Sequence, residues 1–178
     1  MTVEALKTQL GEFAKDTKLN MGAVLSEDGA PGLNPNQIYG TALASAYAVK
    51  NQEMIKAMEG EAAAVLSDAE VQAAKTAATI MAMNNIYYRF VHMVEDQEFK
   101  SLPAKLRMNA IGNPGIEKAD FELYSLAVSA INGCGMCINA HVNELIKAGV
   151  SKLAIQSSIR IASVMNAVSQ AITINQES

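Results

Sequence analysis

Strand-like alternation of β-branched residues is hard to find anywhere in this chain, and that limits its fold more than any other feature. Ala, Met, Leu, Gln, Glu and Lys dominate instead, all of them good helix formers. Val3, Leu6, Leu10 and Phe13 recur at three- and four-residue steps, which predicts an amphipathic N-terminal helix. Gly and Pro break the pattern between Ser26 and Pro35. A helix is expected from about Gln37 to Lys50, and a short segment around Met54, Ile55 and Met58 should end at Gly60. Ser67-Asp68-Ala69-Glu70 is a capping box, in which the Ser oxygen accepts from the third helical N–H while Glu reaches back. It opens a helix through Ile80 and Met83, whose continuation past Tyr87 and Phe90 to Val94 the pattern permits. Pro103 and Gly112-Asn113-Pro114-Gly115 mark two loops. The chain is then helical from Ala119 to Ile131, punctuated at Asn132-Gly133, and helical again from Cys134 to Ala148 with Gly149 as its C′ residue. Ser151 caps a last helix that Leu153, Ile155, Ile159, Ile161, Ala162, Val164, Met165, Val168 and Ile172 make apolar over most of its girth. Such a helix should be buried, in part against another subunit. The expectation is an all-α fold, one helical domain over residues 1–178.

The 178 residues suffice for one hydrophobic core. With 50% hydrophobic and 18% charged residues the chain is too apolar to be disordered. No run approaches the roughly 20 apolar residues of a membrane span. The first residues lack the basic and apolar regions of a signal peptide, so a cytoplasmic protein is expected. A formal charge of −4 and a pI near 5.2 argue against a nucleic-acid partner, as does the absence of Trp.

One internal likeness is visible. An offset that sets His92 on His141 also sets Glu95 on Glu144 and Ala78 on Ala127. It suggests a degenerate repeat near 67–96 and a catalytic one near 116–148, with Asn85 and Tyr88 where the second copy has its cysteines.

The chemistry concentrates in Cys134-Gly135-Met136-Cys137-Ile138-Asn139-Ala140-His141. On a helix, Cys134, Cys137 and His141 share one face, being three and four positions apart. The break at Asn132-Gly133 puts Cys134 at the helix N-terminus, where unsatisfied N–H groups and the macrodipole favour a thiolate. Such surroundings lower a Cys pKa from about 8.5 to roughly 3.5–7.5. His141 can take or relay the Cys137 proton, because imidazole titrates near neutrality. The spacing fits a dithiol that cycles through a disulfide. Glu122, on the preceding helix amid Phe121, Leu123, Tyr124, Leu126 and Val128, needs a partner in such apolar company. If the two helices fold together across the break, Glu122 reaches His141, orients the imidazole and serves as the final base.

Plainer readings stand beside these. The cysteines could be two buried small hydrophobes. Cys-x2-Cys-x3-His could hold zinc in an interaction protein, although no second Cys pair exists and the only other His is His92. Glu122 alone reads first as a solvated carboxylate. The methionines read as core filler, His92 as structural, and Tyr87, Tyr88 and Arg89 as helix packing.

Glu122 followed by Cys134-x-x-Cys137-x-x-x-His141, in a helical chain of this length, resembles the alkyl hydroperoxide reductase D (AhpD) branch of the carboxymuconolactone decarboxylase-like superfamily. The likeness covers essentially the whole chain and includes Met83-Asn84-Asn85-Ile86-Tyr87-Tyr88-Arg89-Phe90 and Ala148-Gly149-Val150-Ser151. It implies a duplicated helical unit and a homotrimer. It also implies modest thiol peroxidase activity on organic hydroperoxides and reduction of the peroxiredoxin AhpC. No tightly bound cofactor is implied; electrons would come from dihydrolipoamide on a lipoylated 2-oxo acid dehydrogenase component, recharged by an NADH-dependent flavoenzyme. Carried onto this chain, Cys137 is the peroxidatic thiol, Cys134 the more exposed resolving thiol, His141 the proton relay and Glu122 the remote base. Some relatives carry His or Tyr where this chain has Met136, so any help that side chain gives to proton transfer is missing here. A lyase is the rival within the superfamily, although decarboxylation has no need of paired thiols.

Overall fold

A computed structural model of the chain describes residues 2–176. Helices α1 (Val3–Thr8), α2 (Lys15–Val24), α3 (Pro35–Val49), α4 (Gln52–Ala62) and α5 (Asp68–Met93) come first. Two single turns follow, α6 (Glu98–Ser101) and α7 (Asn109–Gly112), and then α8 (Lys118–Ile131), α9 (Gly135–Lys147) and α10 (Lys152–Gln176). No strand occurs among the described residues, so the fold is all-α as expected.

Helices α3 and α8 form the centre, because their middles carry small and apolar side chains with almost no charge. Every residue from Gly40 to Ala46 and from Phe121 to Ser129 is buried. The two helices pack on each other, and α5 and α10 each lie against both. Close approach is possible because residue 40 is Gly. A Cβ there would collide with the buried Tyr124 ring. The capping box at Ser67 forms as read, with Ser67 Oγ accepting from Glu70 N–H and Glu70 accepting from Ser67 N–H, and α5 does continue to Met93.

Several expectations need correction. The N-terminal helix ends at Thr8; a 3-10 turn over Glu12–Ala14 follows, and Phe13 points outward at 62% exposure instead of joining the apolar face. Helix α4 passes through Gly60 to Ala62. On α10, Ile155, Ile161, Met165, Val168 and Ile172 are buried, but Leu153 is exposed.

The repeat near 67–96 and 116–148 does not follow the helices. The first stretch is one long helix, whereas the second is two helices broken at Asn132-Gly133. Helix lengths recur in another frame. α3, α4 and α5 run 15, 11 and 26 residues, and α8, α9 and α10 run 14, 13 and 25. The turns agree as well. Lys50 has φ 61° and Gly133 φ 69°, each followed by a side-chain N-cap, Asn51 or Cys134. Cys134 thus stands where the first unit has Asn51, and Cys137 where it has Met54.

Candidate active site

Helix α8 ends in a Schellman turn. Gly133 N–H donates to Ala130 O at 3.1 Å and Cys134 N–H to Ser129 O at 3.1 Å, with Gly133 in the left-handed region that Gly adopts without strain. The turn delivers Cys134 as the N-cap of α9, its sulfur accepting from Cys137 N–H at 3.3 Å. Cys134 and Cys137 are joined in a disulfide, with Cα atoms 5.3 Å apart. That spacing lies inside the ordinary disulfide range. The N-cap position sets the Cys134 sulfur against the Cys137 N–H at the N-terminus of α9, which favours negative charge when the disulfide opens.

Three side chains of α5 and α8 hold this turn from behind. Asn85, itself buried, donates to Ser129 Oγ at 2.9 Å and accepts from Asn132 Nδ2 at 3.0 Å. Arg89, one turn further along α5, donates to Asn132 O at 2.7 Å. The last carbonyls of α8, which have no partner inside the helix, are thereby satisfied from the turn and from a neighbouring helix.

One turn beyond Cys137 is His141. Its Nδ1 lies 2.6 Å from Glu122 Oε2, and both residues are buried, at 8% and 4% exposure. Glu122 is therefore not a solvated carboxylate. It crosses from α8 to α9 to meet Nδ1, which orients the ring. Nε2 sits 3.3 Å from Met81 Sδ on α5.

A cavity of about 320 Å³ opens on this group. Cys137 and His141 line it together with Glu122, Met81, Asn84 and Tyr88. Met108 and Ile111, from the segment after α6, close another wall, and Met136 and Ala140 of α9 complete it. Glu144 also lines it and pairs with Lys147 at 2.8 Å and Lys118 at 3.4 Å. The hydrogen bond from Lys147, with its charge, holds the Glu144 carboxyl below the usual carboxylate range.

The structure thus brings Cys134, Cys137, His141 and Glu122 into one site. The order of exposure is reversed from expectation: Cys134 is fully covered at 0%, while Cys137 retains 7% and faces the cavity. The physical reason is the cap itself, which folds the Cys134 side chain back over the helix N-terminus. Residue His92 is exposed near the end of α5 and does not line the cavity. Among the described residues no group of three His, Cys, Asp or Glu comes together as a metal site.

Sequence reasoning missed Met81, Asn84, Asn85, Met108 and Ile111 as residues of the site, and read Tyr88 and Arg89 first as helix packing and surface contact. One signal was available. Two consecutive Asn in the middle of a long helix are poor helix formers, and such residues stay where their amides have partners to meet.

Residues 97–175 match the model of the carboxymuconolactone decarboxylase family. The chain is 57% identical to alkyl hydroperoxide reductase AhpD of Coxiella burnetii (strain RSA 493 / Nine Mile phase I), covering 98% of this chain and 99% of the relative. It is 52% identical to the AhpD of Rhodopseudomonas palustris (strain BisA53), over 97% and 93% of the two chains. It is also 52% identical to that of Rhodospirillum centenum (strain ATCC 51521 / SW), over 94% and 89%.

Proposed function

Because the chain belongs to the AhpD family, within the carboxymuconolactone decarboxylase group, we propose that it reduces alkyl hydroperoxides through the Cys134–Cys137 dithiol. The observation that carries this reading is the cavity, which Cys137 and the Glu122–His141 pair line together among largely apolar walls. An apolar R group suits Met81, Tyr88, Met108, Ile111 and Met136 better than water does.

The cycle has three steps. The Cys137 thiolate attacks the terminal oxygen of ROOH; an S–O bond forms as the O–O bond breaks, and His141 protonates the leaving alkoxide to give ROH. Cys134 then attacks the sulfenic sulfur, expelling water and closing the disulfide. A dithiol reopens it by exchange through a mixed disulfide, and the N-cap position of Cys134 makes it a good leaving thiolate. Glu122 holds His141 throughout, as carboxylates orient imidazoles in other proton relays.

Dihydrolipoamide, carried on a lipoylated 2-oxo acid dehydrogenase component, is the electron donor in this reading, and AhpC a partner that receives the reducing equivalents. A homotrimer in the cytoplasm is the working assembly. Support for these points is the family likeness alone. No described helix is long and apolar enough to cross a membrane.

The test is a pair of variants. Cys134→Ser should stop at the sulfenic acid, trapped by dimedone on Cys137 after addition of cumene hydroperoxide. Cys137→Ser should leave the peroxide intact. Equal peroxide consumption by the wild type and Cys137→Ser would overturn the assignment.

A further inference from the structure

The wall of the cavity holds a sulfur–hydroxyl pair that the cycle above does not use. Met108 is partly exposed and lines the cavity together with Tyr88, whose hydroxyl donates to Met108 Sδ at 3.9 Å. The bond is long and its acceptor poor, since a thioether sulfur takes hydrogen bonds weakly. Yet among the described residues it is the one hydrogen bond that ties residues 95–115 to the core helices. Beyond it, Phe99 meets Phe90 edge-on, and neither α6 nor α7 buries a residue. One wall of the cavity is thus held by a weak contact.

The spacing suits a different acceptor. An S–O bond followed by an O–H···O hydrogen bond of about 2.7 Å spans the gap between Met108 Sδ and the Tyr88 oxygen, with an ordinary bend at the added oxygen. A sulfoxide there replaces the apolar thioether by a polar group and gives the hydroxyl a strong acceptor. The other methionines of the cavity lack this arrangement. Met81 is covered to 1% and its sulfur faces His141, while no hydrogen bond reaches the sulfur of Met136 among the described residues.

We propose that Met108 is an oxidation site of this chain, converted to its sulfoxide by organic hydroperoxide in the cavity and then held by the Tyr88 hydroxyl. This rests on the reading of the cavity as a hydroperoxide site. The thioether sulfur attacks the terminal oxygen of ROOH; an S–O bond forms, the O–O bond breaks, and sulfur gives up the two electrons that leave with the alkoxide. The hydrogen of the transferred oxygen ends on the alkoxide as ROH, relayed by the Tyr88 O–H, which gains one proton and loses one. The new hydrogen bond fastens the segment over the cavity to α5 more firmly than the thioether does. Peroxide in excess of the reductant therefore narrows the access to Cys137.

The test uses the disulfide form, in which no thiol competes for peroxide. It is treated with excess cumene hydroperoxide, and sulfoxide at each methionine is followed by peptide mass spectrometry. Met108 should oxidise faster than Met93, although Met93 is 73% exposed. Tyr88→Phe should slow Met108 about tenfold, the worth of one hydrogen bond, and leave Met93 unchanged. The disulfide is then reduced with a phosphine, which spares the sulfoxide, and Cys137 is alkylated with iodoacetamide. Alkylation should be severalfold slower after peroxide treatment of the wild type, and unaffected by the same treatment in Met108→Leu. Oxidation of Met93 ahead of Met108, an unchanged Met108 rate in Tyr88→Phe, or alkylation indifferent to the treatment would each overturn the proposal. Failure of the reduced wild type to consume the peroxide would instead refute the peroxidase reading, and is told apart because the methionine experiment involves no thiol.

Discussion

Asn85→Ala removes the side chain that ties α5 to the turn before the cysteines, and its cost can be worked from the contacts. Two neutral hydrogen bonds are lost, to Ser129 and from Asn132, at about 0.5–1.5 kcal/mol each. Ser129 is fully buried, so its hydroxyl is left without that partner at roughly 1–3 kcal/mol. The native state should lose about 2–6 kcal/mol in total, measured by urea unfolding of the disulfide form. A second consequence concerns redox chemistry. The clamp holds Asn132 and, through the Schellman turn, Cys134 in the geometry that the disulfide needs. A looser turn makes closure less favourable, and each tenfold loss in that equilibrium raises the potential by about 30 mV. Equilibration of the variant against a thiol–disulfide buffer should therefore show an easier disulfide to reduce. An unfolding free energy within about 0.5 kcal/mol of wild type would refute the reasoning, because a side chain that matters so little cannot be holding the turn.

Other perturbations test other links. Glu122→Gln keeps the shape of the side chain but ends the buried carboxylate–imidazole pair. The peroxide reaction should slow by roughly 10–100-fold, the worth of a charge-assisted hydrogen bond, and a wild-type rate in stopped flow would remove Glu122 from the relay. Burial pushes the Asp120 carboxyl above its ordinary range; the hydrogen bond from Gln37 opposes this, and the nearby Glu70 and Glu117 add to it. A raised carboxyl contributes stability while protonated and loses it as the pH rises through its folded value. Asp120→Asn should accordingly gain on wild type as the pH rises from about 4 toward neutrality, read by denaturant unfolding at both ends. A widening deficit would contradict the direction.

Much of the site was legible because its spacing is local. Cys134, Cys137 and His141 share a helix, so helical periodicity alone puts them on one face, and Gly133 and Gly149 mark the turns on either side. Glu122 was within reach because it sits in an apolar stretch one short turn away in the chain, and a carboxylate there must find a partner. The α5 wall was not legible. Met81, Asn84 and Asn85 approach the cysteines through a contact between helices far apart in sequence, and no periodicity within one helix reports that. The reversed exposure of the two thiols has the same character, since it depends on the rotamer that lets Cys134 cap its own helix. Identity of His92 and Glu95 does not trace the helices, whereas α3–α5 and α8–α10 share similar lengths, a left-handed turn residue and an N-cap at matching places. The caps are Asn51 in one unit and Cys134 in the other, which share a hydrogen bond and not a residue type.

The central claim is that Cys134 and Cys137 act as one redox couple toward an organic hydroperoxide. Intact mass and free-thiol count, taken before and after one equivalent of cumene hydroperoxide is added to the reduced protein, test it most directly. Loss of both thiols, a mass lower by two hydrogens, and one equivalent of the corresponding alcohol are expected. Survival of both thiols with the peroxide unconsumed would contradict it.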